Sequence, residues 1–125
     1  MSSKKTILLV EDDEFLAELY GTKLSLEGYD VSLATDGEKG LKMIKEKKPQ
    51  LVLLDIILPK MDGFEVLKAG KTDRALRSIP IILLTNLSQK DEVKKGLGLG
   101  AKDYLIKAHF MPSEVVEKIK ETLGE

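Results

Sequence analysis

Short apolar runs alternate along this chain with longer stretches in which apolar positions recur every three or four residues. Continuous apolar runs of four or five residues read as strands buried on both faces, and the three-to-four spacing reads as amphipathic helix. The pattern predicts a strand over 6–10, then a helix over 14–27 with Phe15, Leu16, Leu19, Tyr20 and Leu24 on one face and Gly28 as its stop. A short strand follows over 30–34, with Val31 and Leu33 alternating. Asp36 is placed to cap a second helix reaching Lys47, which buries Leu41 and Ile44 and has Pro49 just beyond its end. Leu51 to Asp55 is a third strand, and Asp62-Gly63 opens a helix carrying Phe64 and Leu67. Pro80 precedes a strand over 81–85, and Ser88 can cap the next helix. The last strand covers 102–106. Pro112-Ser113 then opens a helix whose inner stripe is Val115, Val116, Ile119 and Leu123.

Five strands alternating with five helices imply an α/β fold: a parallel sheet, helices on both faces and right-handed crossovers. One domain over 1–125, with its core from about residue 6 to residue 123, accounts for the whole pattern. Gly96, Gly98 and Gly100 fall at the end of the fourth helix, where each interior glycine costs about 1 kcal/mol relative to alanine. The Gly-Leu-Gly-Leu-Gly run follows a helix rather than a strand, so it lacks the setting of a nucleotide-binding turn. It reads as a frayed helix end.

Composition narrows the classes. The chain has no cysteine, which excludes disulfides and thiolate metal sites and fits a reducing cytoplasm. Its formal charge of -1 argues against direct nucleic-acid binding, which calls for a clearly basic surface. No apolar run approaches the ~18 residues needed to cross a bilayer, and the start lacks a secretory signal, so no membrane insertion is expected.

The chemistry gathers where strands end. In open parallel sheets, ligands bind beyond the carboxyl ends of the strands. Here the first strand runs into Glu11-Asp12-Asp13, the third ends in Asp55, the fourth in Thr85, and the fifth leads to Lys107. Acids at the start of a helix also serve as caps and favour the helix dipole. If the first and third strands are neighbours, however, Glu11, Asp12 and Asp55 crowd together, and their repulsion needs a cation to offset it. Carboxylate oxygens select hard cations such as Mg2+. A carboxylate beside such an ion can attack phosphorus, with a hydroxyl from Thr85 and an ammonium from Lys107 to meet the phosphoryl oxygens.

These residues resemble a response-regulator receiver domain, the phosphoryl acceptor of two-component signalling. The resemblance runs from Ile7 to Leu123 and rests on four stretches: Val10 to Asp13, Asp55 to Gly63, Leu84-Thr85, and Gly100 to Lys107. It implies a flavodoxin-like (βα)5 domain with strand order 2-1-3-4-5, an order for which the chemotaxis member is a standing example. It further implies phosphorylation of Asp55 by a sensor histidine kinase or histidine phosphotransfer protein, with Mg2+ or Mn2+. Asp12, Asp55 and the backbone carbonyl of Ile57 would hold the metal, and Glu11 would act through a metal-bound water. Thr85, Lys107 and Asn86 would contact the phosphoryl group. Thr85 and Tyr104 would form the switch that re-sets the face made by the fourth helix, fifth strand and fifth helix for an output protein. Such a chain is a phosphoryl acceptor that assists its own phosphorylation and dephosphorylation, not an enzyme with turnover.

Some positions depart from the family pattern. Ala108 stands after Lys107 where proline is usual; a cis bond there would cost about 2.5–4 kcal/mol, so the bond is expected trans or as a strained cis bond. Asn86 stands where a small residue is usual, and Ile57 and Leu87 put apolar groups beside the site, which favours a long-lived phosphoryl group. His109 is the only histidine and is read as a loop residue. Two alternatives have different signatures. A phosphorylation-independent binding module would not label at Asp55. A Mg2+-dependent aspartate-nucleophile phosphatase would carry a second acid where this chain has Ile57.

Overall fold

The computed structural model describes residues 4–85, 90–107 and 112–125. Five parallel strands form one sheet: β1 (Thr6–Val10), β2 (Asp30–Ala34), β3 (Leu51–Asp55), β4 (Ile81–Thr85) and β5 (Asp103–Ile106). Their order is β2-β1-β3-β4-β5, as expected, so β1 and β3 are neighbours. Register aligns Val10 with Leu54, Asp55 with Leu84, and Thr85 with Ile106. One further residue on β1 therefore brings Glu11 to the level of Asp55; on β5 that level is Leu105, so Lys107 lies two residues beyond it and reaches back with its long side chain.

All five residues of β3 and of β4 are buried, which explains their unbroken apolar runs. Residues alternate between the two faces. Ile7, Leu9, Leu51, Leu53, Ile82 and Leu84 pack under α1 (Glu14–Leu26) and α5 (Pro112–Leu123). Leu8, Val10, Val52, Leu54, Ile81 and Leu83 pack under α2 (Gly37–Lys47), α3 (Gly63–Thr72) and α4 (Lys90–Gly98). Carboxylates cap three helices: Asp13 accepts the Leu16 N–H, Asp36 the Lys39 N–H and Asp62 the Glu65 N–H. At the opposite edge of the sheet, the Tyr29 hydroxyl donates to the Glu125 carboxylate at 3.1 Å, and Lys5 lies 3.8 Å from the same oxygen.

Two expectations need correction. In α1 the buried residues are Ala17, Tyr20 and Leu24. Phe15 is 74% exposed and Leu26 81%, with Leu19 also on the surface. The helix carries apolar residues on two adjacent stripes, and only one faces the sheet. Leu33 on the edge strand β2 is likewise exposed.

The end of α4 is closed, not frayed. Gly100 takes φ 107°, its N–H donates to Leu97 O, and the Ala101 N–H reaches back to Gly96 O. That pair of bonds is a Schellman closure, and it needs the left-handed residue that glycine supplies. Gly96 is small for another reason: a Cβ there would collide with the end of the Leu83 side chain on β4. Ser88, the expected cap of α4, lies outside the described residues. The last strand begins at Asp103, one residue later than expected.

Candidate metal and phosphoryl site

β1 delivers Glu11 to the carboxyl edge of the sheet. The Glu11 N–H donates to Ala34 O, so the residue continues the strand's course past Val10. Its side chain is buried, with one oxygen accepting the Asp13 N–H at 3.2 Å and the other the Lys107 ammonium at 2.5 Å. Asp55, also buried, accepts the Ile57 N–H on Oδ1 at 3.2 Å and the Lys107 Nζ on Oδ2 at 2.8 Å. The Lys107 side chain is itself nearly inaccessible, at 5% exposure. One ammonium thus ties the ends of β1, β3 and β5. The pairing of Lys107 with Asp55 was expected. Its equal engagement of Glu11 was not, because nothing in the sequence links two residues 96 positions apart.

Carboxylate oxygens of Glu11, Asp12 and Asp55 all lie within 4.8 Å of one another, and Asp12 is exposed while the other two are buried. The group is therefore open to solvent on the Asp12 side. Three carboxylates and no nitrogen or sulfur donor make an oxygen-only set, which fits a hard divalent cation. Burial pushes the Glu11 carboxyl up to about 7, with the nearby Asp55 charge adding and the Lys107 hydrogen bond opposing. For Lys107, burial pulls the pKa down, but hydrogen bonds and charges from Asp55 and Glu11 outweigh it and the net shift is upward. The lysine is an ammonium. Removing it would leave two buried acids facing each other, a costly arrangement.

Thr85 is buried at the end of β4, one residue beyond the register partner of Asp55. Tyr104 pairs in register with Leu83 and is half-buried, packed against the core cluster on the α3 and α4 side. Ile57 follows the site directly, and its side chain is 62% exposed. The structure brings Glu11, Asp12, Asp55 and Lys107 together, with Thr85 at the adjoining strand end. Asn86, Leu87, Ala108 (and hence the Lys107–Ala108 bond) and His109 lie outside the described residues. Tyr20, which spacing places on the inner face of α1, has a second relation to the site. It is buried on α1 near enough for Lys107, Glu11 and Asp55 to act on its hydroxyl, whose pKa burial raises.

The model of the response regulator receiver domain matches residues 7–120. The chain belongs to that family. It is a receiver domain of two-component systems, and such domains are not enzymes in the ordinary sense. The chain is 41% identical over 119 residues to the alkaline phosphatase synthesis transcriptional regulatory protein PhoP of Bacillus subtilis, covering 95% of this chain and 48% of PhoP. It therefore spans about half the length of the curated relatives it matches. Among solved structures, a CheY-like receiver domain from Methanospirillum hungatei superposes with a TM-score of 0.90 at 34% identity, covering 98% of this chain and 95% of that one. The receiver domain of the sensor histidine kinase PA1611 from Pseudomonas aeruginosa, solved with a magnesium ion coordinated in its active-site cleft, gives 0.89 at 28% identity over 98% of this chain and all of that one.

PhoP is named as a transcriptional regulatory protein, so the expectation of no direct nucleic-acid binding finds no support among the relatives. Among the described residues, no helix is long and apolar enough to cross a membrane.

Proposed function

We propose that this receiver domain accepts a phosphoryl group on Asp55 from a phosphohistidine on a kinase or phosphotransfer protein in the cytoplasm. The observation that carries the reading is the Lys107 ammonium, held between Glu11 and Asp55 beside the open carboxylate of Asp12. An Asp55 oxygen attacks phosphorus, the bond from phosphorus to the donor imidazole nitrogen breaks, and the imidazole leaves with the electron pair. The Ile57 N–H and the Lys107 ammonium each hold one Asp55 oxygen, so the carboxylate is oriented before the donor arrives. Asp12, Asp55 and the Ile57 carbonyl would hold Mg2+, with Glu11 acting through a bound water. The ion would neutralise charge on the phosphoryl oxygens. Thr85, Lys107 and Asn86 would contact those oxygens in the product.

Output follows as a population shift: Thr85 moves toward the new anion, Tyr104 turns inward, and the surface of α4, β5 and α5 favours its second arrangement. The exposed side chain of Ile57 beside Asp55 supports slow hydrolysis, since it hinders an attacking water. The exposed apolar groove lined by Phe15, Leu19 and Leu26 on α1 supports a protein donor docking near the site. Intact-mass measurement after acetyl phosphate and Mg2+ tests the reading. The parent should gain the mass of one phosphoryl group and Asp55→Ala should gain none. Equal labelling of both, or of neither, would refute it.

A further inference from the structure

The start of α2 is built onto the loop between β3 and α3. Asp36 is buried, with one oxygen capping α2 through the Lys39 N–H at 2.8 Å and the other 4.0 Å from Lys60 Nζ. The Gly37 N–H donates to Pro59 O at 3.3 Å. A Cβ on Gly37 would fall onto the Met61 carbonyl oxygen, a backbone atom that no side-chain rotation can move aside. Gly37 is not in the left-handed region, so closeness rather than backbone conformation demands the glycine.

The loop it meets is under strain. The Met61 N–H donates to Pro59 O at 2.8 Å, spanning two residues, and Lys60 between them has φ 69°. A two-residue span with a positive central φ is the strained form of the γ-turn. Pro59 O therefore accepts from Met61 and Gly37 at once. At its start the loop is tied by the Gly63 N–H to Ile56 O at 2.7 Å. Ile57 lies between these two anchors, with its N–H on Asp55.

We infer that Gly37 is a positioning residue for the metal site: by holding Pro59 on its N–H and letting α2 close onto Met61, it fixes the strained loop so that the Ile57 carbonyl completes the oxygen set with Asp12 and Asp55. The inference rests on the proposed role of Ile57 as a backbone ligand. A methyl group at residue 37 pushes the loop away from α2 and shifts that carbonyl. Asp55 ends β3, while Asp12 and Lys107 follow β1 and β5 on other parts of the rim, and all three stay where they are.

The test compares the parent, Gly37→Ala and Gly98→Ala, the last being a control where an added methyl meets open space. Mg2+ affinity comes from titration followed by backbone amide NMR, and the rate of labelling by acetyl phosphate is taken at saturating Mg2+. Gly37→Ala should weaken Mg2+ binding about 10-fold or more while the saturated rate stays within about twofold, the split expected when a group supporting a metal ligand is disturbed. Gly98→Ala should change neither. A folded Gly37→Ala with parental affinity, or one losing affinity and saturated rate together, would overturn the inference. If Gly37→Ala does not fold, the parent still decides: the Gly37 amide should shift along the same Mg2+ binding curve as Asp12 and Ile57, while Gly40, one turn on, stays put. A motionless Gly37 amide overturns the inference alone. A parent that binds no Mg2+ sinks both this and the proposed function.

Discussion

Burial and the charge of Asp55 lift the Glu11 carboxyl from 4.5 to about 7, well above the usual carboxylate range. An acid whose pKa rises on folding holds its proton more tightly in the folded state. Its stabilising contribution is complete below 4.5 and is lost as pH climbs through about 7. Thermal melts in chelator should therefore show the protein losing stability from about pH 5 to about pH 8, and Glu11→Gln should flatten that part of the profile. A cation entering the group displaces the proton, so Mg2+ affinity should strengthen as pH rises and level off above about 7. A metal titration at several pH values checks this, and a flat profile would contradict it. The acids themselves were legible in the sequence, since each follows an apolar run that could only be a buried strand. The engagement of Lys107 by Glu11 was not, because strand ends far apart in the chain show their proximity only once sheet order and register are known.

Among the elements, strands were read almost to the residue because β3 and β4 are covered on both faces and tolerate nothing polar until they end. Helices were harder. In α1 spacing alone could not tell the Ala17, Tyr20 and Leu24 stripe from that of Phe15, Leu19 and Leu26, and the inward direction is set by the sheet beneath. The glycines of α4 are opaque to spacing for a related reason: the demand on Gly96 comes from Leu83 on another element. That difference predicts opposite signs for two neighbouring substitutions. Gly96→Ala should destabilise by about 1–3 kcal/mol through overpacking. Gly98→Ala, with nothing to strike, should be neutral or stabilise by up to about 1 kcal/mol. Urea unfolding of the two variants gives the comparison, and equal effects would place the Gly96 contact in doubt.

Taken as a whole, the molecule divides its surface unevenly. Phe15, Leu19, Leu26 and Leu33 leave apolar groups facing solvent along α1 and the edge strand β2, whereas the sheet interior is fully covered. Surface residues outside the core contribute little to folding. Phe15→Ser and Leu26→Ser should each move the folding free energy by less than ~0.5 kcal/mol, read from urea midpoints. A loss of several times that would mean the groove is packed in solution. The rim opposite the site belongs to this larger geometry as well. Lys5 and Glu125 meet beneath the sheet, at the entry side of the strands, with Tyr29 between them. Every acid of the candidate site emerges at the other side. A tether, a fused protein or a solid support attached at Lys5 or Glu125 therefore leaves the reactive rim facing outward.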